Sequence, residues 1–185
     1  MRIIAGTYKS RKLKMVPTKD TRETSDKVRG AVFNMIGSKV LNSVVLDLFA
    51  GSGSYGLEAI SRGSKKVVFN DFKLIAYKTL LENISNLGVL AQSIILKLDY
   101  VEALKKLKNE SFKFEIVFID PPYQLGVYTN VLKSLEDVLN KEATVVLEMD
   151  KNNFIEIDNF KNYEISKEKI YGNKKIIILN HFKWL

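Results

Sequence analysis

The stretch GSGSYG has the residue types and spacing of a loop that holds a nucleotide at the start of a helix. It places Gly51, Gly53 and Gly56 directly after the apolar run VVLDLF. Glycines here let backbone N–H groups and the helix N-terminus approach a ligand, and the structural alternative is a tight turn that only packs helix on strand. Asp71 ends the next strand pattern, where its carboxylate can accept both hydroxyls of an adenosine ribose. These features predict a nucleotide site but fit a dinucleotide and S-adenosylmethionine (SAM) equally.

Two further carboxylates favour SAM. Asp47 lies inside the first strand pattern, four residues before Gly51. A carboxylate there would repel the pyrophosphate of a dinucleotide, but it would attract the ammonium of the methionine part of SAM. Asp99 follows a third strand pattern, where it could accept the adenine amino group while the Tyr100 N–H reaches the ring edge. Asp99 can also cap the helical pattern VEALKKL, and the two roles are compatible. The predicted cofactor is therefore SAM.

A second motif, FIDPPYQ, provides acceptors for an amine. Pro121 and Pro122 end a buried strand pattern, and because proline fixes φ and has no N–H, the stretch around Asp120 becomes a stiff edge. Its acceptors are the Asp120 carboxylate and the Pro121 carbonyl, and Tyr123 adds a flat aromatic face beside them. Such a site can accept two hydrogen bonds from the –NH2 of a planar group while the ring stacks. A Pro-Pro turn that only ends the strand is the structural alternative.

Together the two motifs predict methylation of an exocyclic amine. The lone pair of such a nitrogen is delocalised into the ring, and acceptors for its two protons favour a pyramidal nitrogen. The lone pair then points at the sulfonium methyl, so that most of the catalysis is positioning for an in-line displacement. Asp120 can also take the released proton. The sulfonium is already activated, and we therefore expect no metal ion.

Short apolar patterns rich in β-branched residues alternate with helical patterns, which predicts an α/β fold. The strand patterns are 44–49, 66–71, 93–98, 114–120 and 143–149, and the helical patterns are Ser54–Ser61, Leu74–Leu87, Tyr100–Lys108 and Val127–Leu139. Gly172 and Asn173 lie between two further strand patterns and predict a C-terminal antiparallel hairpin. The expected fold is Rossmann-like, with a mostly parallel seven-stranded sheet. Ligands of such sheets bind at the carboxyl ends of the strands, where the candidate residues fall.

The N-terminal segment is basic. Residues 1–19 contain no acidic residue, and their cations are Arg2, Lys9, Arg11, Lys12, Lys14 and Lys19. The patterns RIIAGTY and RKLKMV predict a small β-hairpin around a polar turn. We divide the chain into a basic N-terminal arm, residues 1–20, and a methyltransferase domain, residues 21–185.

One helix is predicted between the arm and the first strand of the sheet. Apolar residues in TRETSDKVRGAVFNMIG recur at helical spacing from about Asp26 to Ile36. Thr24 or Ser25 can cap its N-terminus, and Gly37 can end it. Cations on the arm and on this helix could hold a nucleic-acid backbone while Tyr123 stacks on a base that has left its stack.

Composition bounds the class of protein. The chain has 185 residues, 46% of them hydrophobic, which predicts one domain with a real core. With no cysteine and one histidine, disulfides and thiolate metal sites are excluded and transition-metal sites are disfavoured. No apolar run has the length of a membrane span and the start has no signal-peptide pattern, so we expect a soluble, cytoplasmic monomer. The net charge of +8 favours a polyanionic partner, although a lysine-rich composition alone would give the same value.

The sequence LDLFAGSGSYGLEA together with DPPY resembles class I SAM-dependent amino-methyltransferases. The opening is more specific, because RIIAGTYKSRKL followed by TRETSDKVRGAVFNMI resembles the start of the RsmD family, the bacterial 16S rRNA guanine-N2 methyltransferases. The resemblance runs from Arg2 to about Glu148, in order and with similar spacings. It implies transfer of one methyl group from SAM to N2 of a guanine, position 966 in the usual rRNA numbering, on a partly assembled small ribosomal subunit.

The resemblance also implies the roles of individual residues. The glycine loop would hold the methionine part of SAM, Asp71 the ribose and Asp99 the adenine, and the DPPY motif would hold the guanine. The residues predicted to hold SAM are Asp47, Phe49, Ala50, Gly51, Ser52, Gly53, Asp71, Asp99 and Tyr100. The predicted catalytic residues are Asp120, Pro121, Pro122 and Tyr123. The residues predicted to contact RNA are Arg2, Arg11, Lys12, Arg22, Thr24, Asp26, Lys27 and Arg29, of which the last five would close over the base and its phosphates.

The chain departs from the family pattern at two positions. Tyr55 stands where the family usually has a small residue, and it could crowd the start of the helix without abolishing SAM binding. Asn70 precedes the ribose acid. Residues 151–185 resemble the family only weakly and predict nothing about function.

Other functions stay open at this point. A DNA adenine-N6 or protein-glutamine methyltransferase would use a similar proline motif, often with Asn where this chain has Asp120, although the small size argues against a sequence-specific DNA enzyme. An RNA-binding assembly factor with a vestigial SAM site is disfavoured by the intact glycine loop and acids, and an NAD oxidoreductase is the remaining alternative. For Lys27 and Arg29 the alternative is a solvated helix face, and for Glu148 we expect solvation at the sheet end.

Overall fold

The structure is a computed structural model that describes residues 1–17, 25–122 and 127–182. The strands are β1 (Val44–Asp47), β2 (Lys66–Asn70), β3 (Ser93–Leu96), β4 (Phe114–Ile119), β5 (Leu139–Asp150), β6 (Tyr163–Tyr171) and β7 (Lys174–His181). The helices are α1 (Asp26–Ile36), α2 (Ser54–Ser61), α3 (Leu74–Leu87), α4 (Tyr100–Asn109) and α5 (Tyr128–Leu135). The strands form one sheet in the order β3-β2-β1-β4-β5-β7-β6. Because β1 to β5 are parallel and β7 is antiparallel to β5 and β6, the predicted Rossmann-like sheet with a C-terminal antiparallel hairpin is confirmed.

Local sequence signals place most element boundaries. Ser25 caps α1, since its hydroxyl oxygen accepts a hydrogen bond from the Val28 N–H. The predicted bounds of α2 and α3 agree with the structure at both ends. In contrast, β5 begins at Leu139, four residues before its predicted start, because Leu139 pairs with Phe114 of β4. The helix predicted to run into this segment therefore ends earlier, at Leu135.

Each central strand buries both of its faces, which explains why its sequence is apolar throughout rather than alternating. In β1, Val45 packs with residues of α1, α2 and α3, whereas the next residue, Leu46, packs with residues of α4 and α5. The same alternation holds for Ile116 and Val117 in β4. The sheet thus carries α1 to α3 on one face and α4 and α5 on the other. No helix among the described residues is long and apolar enough to cross a bilayer.

The N-terminal arm packs on the face that carries α1 to α3. Its antiparallel pairing is one bridge, between Arg2 and Lys12, instead of the two predicted short strands. The reason is that the Ile4 and Ala5 N–H groups donate to the carboxylate of Glu58 on α2, at 2.8 and 3.1 Å, and cannot continue a ladder. The apolar side chains of the arm that are buried are Ile3, Leu13 and Val16. The arm is therefore anchored to the body of the protein by apolar burial and by hydrogen bonds.

Candidate active site

The strand order reverses at β1, which lies between β2 and β4 in the sheet. In open parallel sheets such a reversal opens a crevice at the carboxyl ends of the strands, where ligands bind. The glycine loop follows β1, and Asp71, Asp99 and Asp120 follow β2, β3 and β4. The fold therefore brings the residues predicted to hold SAM and the predicted amine site to one edge of the sheet.

The loop after β1 turns sharply through two glycines at positive φ. Gly51 has φ +54° and Gly53 has φ +83°, a region that favours glycine. The Gly53 N–H donates to the Ala50 carbonyl at 2.7 Å and closes the turn, and α2 begins at the next residue. A Cβ on Gly51 would meet no other described part of the chain within 4 Å, whereas one on Gly53 would approach Leu80 of α3 to 2.4 Å. The loop is packed against α3 at Gly53 and open at Gly51.

Asp71 borders the open end of this loop. Its carboxylate accepts hydrogen bonds from the N–H groups of Gly51 and Lys73, each at 2.9 Å. Burial raises the pKa of Asp71, and the two N–H donors oppose that rise. A carboxylate has roughly four acceptor positions, so two remain for hydroxyl groups of a ligand beside Gly51.

Asp47 is a buried acid at the end of β1. Only 3% of its surface is exposed, and its Oδ2 accepts a hydrogen bond from the Gly56 N–H at 2.9 Å. The pKa of Asp47 is raised from 3.8 to about 7, mainly by burial; the Gly56 hydrogen bond opposes the rise, and the charge of Asp71 adds to it. A cation bound close to Asp47 would reverse this rise, because it would favour the ionised carboxylate.

The ends of three strands are tied together by Asn70, which sequence analysis noted only as a departure from the family pattern. Its Nδ2 donates to the carbonyls of Leu48 and Leu98, at 3.2 and 3.1 Å, and its Oδ1 accepts from the Leu98 N–H at 3.3 Å. Asp99 caps α4 by accepting a hydrogen bond from the Val101 N–H at 2.9 Å. The capping role of Asp99 is thus present, and it leaves the predicted contact with adenine as a second, compatible role.

The remaining residues predicted to hold SAM contribute in two ways. The rings of Phe49 and Tyr100 lie 5.8 Å apart at an angle of 44°, so they join the loop after β1 to the start of α4. Ala50 and Ser52 are buried in the loop, and Ala50 has only its backbone groups to offer a polar ligand.

The predicted amine site begins where β4 ends. Asp120 is half-buried, Pro121 is buried, and Tyr123, the predicted stacking residue, lies outside the described residues. The Leu48 N–H donates to the Phe118 carbonyl at 3.2 Å, which extends the pairing of β1 with β4 by one residue. The chain that enters the glycine loop and the chain that carries Asp120 therefore leave the sheet side by side.

A buried polar cluster beside this site was missed by sequence analysis. The Tyr55 hydroxyl donates to Glu148 at 2.7 Å, and Lys174 forms an ion pair with the same carboxylate. The Tyr55 ring stacks on Phe118, with centroids 4.6 Å apart, so it points at the sheet. Burial raises the pKa of Tyr55 well above its usual range, and the nearby charges of Glu148 and Asp120 raise it further. The expectation that Glu148 is solvated is wrong, because it is 1% exposed and its charge is compensated inside the protein.

Residues 1–180 match the model of a protein family described as Conserved hypothetical protein 95. The chain belongs to this family. Ribosomal RNA small subunit methyltransferase D of Buchnera aphidicola is 32% identical over 170 residues, which are 91% of this chain and 86% of the relative. The protein of the same name from Haemophilus influenzae is 31% identical over 175 residues, 93% and 89% of the two chains. The solved structure of yhhF from Escherichia coli is 27% identical in sequence to this chain and superposes on it with a TM-score of 0.85. The match covers 98% of each of the two chains. The resemblance to the RsmD family and the methyltransferase fold are confirmed.

The basic N-terminal segment of this chain lies largely on the surface. The predicted RNA-contact residues with exposed side chains are Arg2, Arg11, Lys12 and Lys27. Arg22 and Thr24 fall outside the described residues. Asp26 is half-buried and forms an ion pair with Arg2 at 3.5 Å, so it fixes the arm to the start of α1.

Arg29 is the exception, and the prediction that it contacts RNA is corrected. Its side chain is fully buried and forms ion pairs with Asp26 at 2.9 Å and with Glu58 at 3.7 Å, and it also donates to the Arg2 carbonyl. These partners come from α1, α2 and the arm. Removing one partner of a buried ion pair typically costs about 3–5 kcal/mol, because the other charge stays buried. Arg29 therefore holds the arm on the two helices.

Proposed function

We propose that this protein transfers a methyl group from SAM to the exocyclic N2 of a guanine in 16S rRNA, at position 966, on a small ribosomal subunit or an assembly intermediate. The observation that carries the proposal is that the glycine loop and Asp120 leave neighbouring strands at the reversal of the strand order. The small-subunit rRNA substrate is supported by the names of the relatives. The proposal includes a cytoplasmic monomer that needs no metal ion and no membrane.

The residues after β1 and β2 fit SAM. Gly51 leaves open space next to the Asp71 carboxylate, as a ribose beside the loop requires. The buried Asp47 carboxylate would be stabilised by the ammonium of the methionine part, which would offset its burial. The Phe49–Tyr100 ring pair would give the adenine an apolar wall. When bound, SAM supplies a methyl group that its sulfonium already activates.

The residues after β4 fit an aromatic amine. The Asp120 carboxylate and the Pro121 carbonyl would accept hydrogen bonds from the two N2 protons of guanine, which favours a pyramidal nitrogen. Because Asp120 is half-buried, these hydrogen bonds are stronger than they would be in water. Asp120 would then accept the proton that the methylated nitrogen releases. Holding donor and acceptor on adjacent strands lowers the barrier by positioning.

The proposal is tested by methyl transfer from radiolabelled SAM to small ribosomal subunits from cells that lack the endogenous enzyme, followed by nucleoside analysis. We expect label in N2-methylguanosine. Label in adenosine or in protein would support the SAM site but contradict guanine as the substrate. If no label is transferred although SAM binds in calorimetry, the result would contradict methyl transfer and favour a non-catalytic RNA-binding factor that binds SAM.

Replacing Asp71 with alanine is expected to weaken SAM binding by ~2–3 kcal/mol, or roughly 30- to 150-fold. The variant removes an acceptor for the ribose hydroxyls and also the hydrogen bond that holds the Gly51 N–H. The dissociation constant is measured by calorimetric titration with SAM. Asp137→Ala is the matched control, because it removes an exposed carboxylate that pairs with Lys108 on α4. An unchanged SAM affinity in Asp71→Ala would contradict the assignment.

Neutralising two exposed lysines of the arm is expected to weaken RNA binding and to flatten its salt dependence. The variant Lys9→Gln with Lys12→Gln leaves the buried apolar residues of the arm in place, which deletion of the arm would not. The slope of log K against log salt should fall by about 0.7–0.9 for each phosphate that the variant no longer neutralises. The matched control, Lys105→Gln with Lys133→Gln, removes the same charge from the α4 and α5 face. If both variants change the slope equally, the arm does not bind RNA specifically.

A further inference from the structure

Asn83 on α3 joins the basic arm to the glycine loop. It is 2% exposed, and its Oδ1 accepts a hydrogen bond from the Lys14 N–H at 2.8 Å. Its Nδ2 donates to the Lys14 carbonyl at 3.0 Å and to the Ser52 carbonyl at 2.9 Å. The acceptor and both donor hydrogens of the amide are thus engaged, and only this orientation of the amide satisfies all three bonds. One side chain bridges two segments that are far apart in the sequence.

On the loop side, this bridge fixes the peptide between Ser52 and Gly53. Asn83 donates a hydrogen bond to the carbonyl of that peptide, which belongs to Ser52. The N–H of the same peptide belongs to Gly53 and donates to the Ala50 carbonyl at 2.7 Å. Leu80, one turn before Asn83 on α3, packs closely on Gly53, so a Cβ there would displace the Leu80 side chain. Two residues of the same face of α3 therefore set the conformation of the loop.

On the arm side, the same helix holds a backbone that carries exposed cations. The Arg11 guanidinium donates to the Asn86 carbonyl at 2.8 Å, and Lys14 forms an ion pair with Glu82. The Lys14 side chain is 61% exposed while its own N–H and carbonyl are bound to Asn83. A phosphate that engages Lys14 would therefore act on a residue whose backbone is tied directly to the glycine loop.

We propose that Asn83 is a positioning residue that couples RNA binding on the arm to SAM binding in the glycine loop, so that each ligand tightens the binding of the other. The inference rests on the proposed function, since it needs SAM at the loop and RNA on the arm. RNA that holds the arm against α3 keeps the Asn83 bridge formed and the Ser52–Gly53 peptide ordered. SAM then binds without the loss of entropy that ordering this network would require, and linkage makes the effect reciprocal.

The test measures the affinity for S-adenosylhomocysteine, the product, because it binds without transfer. Its dissociation constant is determined by equilibrium dialysis with the full chain, alone and with unmethylated small ribosomal subunits. For the wild-type chain we expect at least about fivefold tighter binding with subunits. In Asn83→Ala the ratio of the two constants should fall to about one, as expected when the coupling is lost. The matched control is Glu82→Gln, which removes the neighbouring contact with Lys14 and should keep the wild-type ratio.

The ratio separates positioning from a loss of stability, because a structural defect would change both constants and leave the ratio intact. An unchanged ratio in Asn83→Ala overturns the role of Asn83. A wild-type ratio of one, with both ligands bound, overturns the coupling and leaves the proposed function standing. Failure of the wild-type chain to bind the product or the subunits overturns the proposed function, and the inference with it.

Two further measurements test the proposal if the Asn83→Ala variant does not fold. Asn83→Asp has nearly the same shape and keeps the acceptor for the Lys14 N–H, but it loses both donors, and it should show the same ratio of about one. In the wild-type chain, the product should also slow hydrogen exchange of the Lys14 amide, which the Asn83 oxygen protects. Exchange that is unaffected by the product would contradict the coupling without any substitution.

Discussion

Replacing Asp120 with alanine is expected to lower the rate of methyl transfer by about a thousandfold or more while SAM affinity stays within about twofold of wild type. Asp120 lies at the end of β4, whereas the residues that fit SAM follow β1 and β2. The substitution would therefore remove the proposed acceptor for the amine and leave the cofactor loop in place. On the proposed mechanism the rate falls because the variant stabilises the transition state less, as the nitrogen changes shape and gives up a proton.

The size of the effect follows from the removal of two functions at once. Alanine would remove one of the two acceptors proposed to hold the amine in line with the methyl group, and positioning of this kind accounts for several powers of ten in rate. It would also remove the carboxylate proposed to take the released proton. The Pro121 carbonyl alone keeps one hydrogen bond to the amine but cannot take up the proton.

The conservative variant Asp120→Asn separates these two functions. Its amide oxygen still accepts one hydrogen bond, so it should retain more activity than the alanine variant. Single-turnover transfer from labelled SAM gives the rate, and calorimetric titration gives the affinity for SAM. Full activity of Asp120→Ala would contradict the proposal that Asp120 binds the amine. A large loss of SAM affinity would instead place Asp120 in the cofactor site.

Much of the fold and of the cofactor loop could be predicted from local signals. The glycine spacing and the flanking strand pattern fix the loop after β1, and the bounds of α2 were predictable because its start and end are set by neighbouring residues. The position of the acids at the strand ends was also predictable, because parallel strands present their carboxyl ends at one edge of the sheet. The short pairing in the arm was not, because the N–H groups that would extend it bind Glu58 instead.

The misassigned residues depend on partners that are distant in the sequence. The helical pattern places Arg29 among apolar neighbours, but nothing local shows that Glu58 lies on α2 to compensate its charge. The sequence pattern places Glu148 at the end of a strand, but it does not show its partners Tyr55 and Lys174, which come from α2 and β7. A usable signal did exist for Asn83, since it is a polar residue on the buried face of α3. Such a residue must find hydrogen-bonding partners inside the protein, and here these belong to the arm and the loop.

Replacing Asp47 with asparagine is expected to stabilise the protein at neutral pH. The folded protein binds the Asp47 proton up to about pH 7, whereas the unfolded chain loses it near 3.8. The folded state thus binds more protons across this window, and its stability falls as the pH rises from about 4 to about 7. Above pH 7 the full penalty is present, with an upper bound of about 4 kcal/mol. The variant cannot ionise, so its advantage over wild type should be absent near pH 4 and largest above pH 7.

Denaturant unfolding at several pH values measures this difference. The asparagine oxygen can keep the hydrogen bond from the Gly56 N–H, but its added –NH2 group needs a partner, so we expect a gain of about 1–3 kcal/mol. The control is Asp137→Asn, an exposed acid whose substitution should leave the pH profile unchanged. A stability difference between Asp47→Asn and wild type that stays constant between pH 4 and 7 would contradict the raised pKa of Asp47.

The same substitution should weaken SAM binding, which would give this costly buried acid a function at the loop. An ammonium of SAM held at Asp47 would favour the ionised carboxylate, so wild-type affinity should rise by about tenfold between pH 5.5 and 7, as Asp47 loses its proton. In Asp47→Asn the affinity should be lower at neutral pH and independent of pH in this range. Calorimetric titrations with SAM at the two pH values decide the matter. If the variant is more stable and binds SAM as tightly as wild type, Asp47 is a structural acid and the ammonium is held elsewhere.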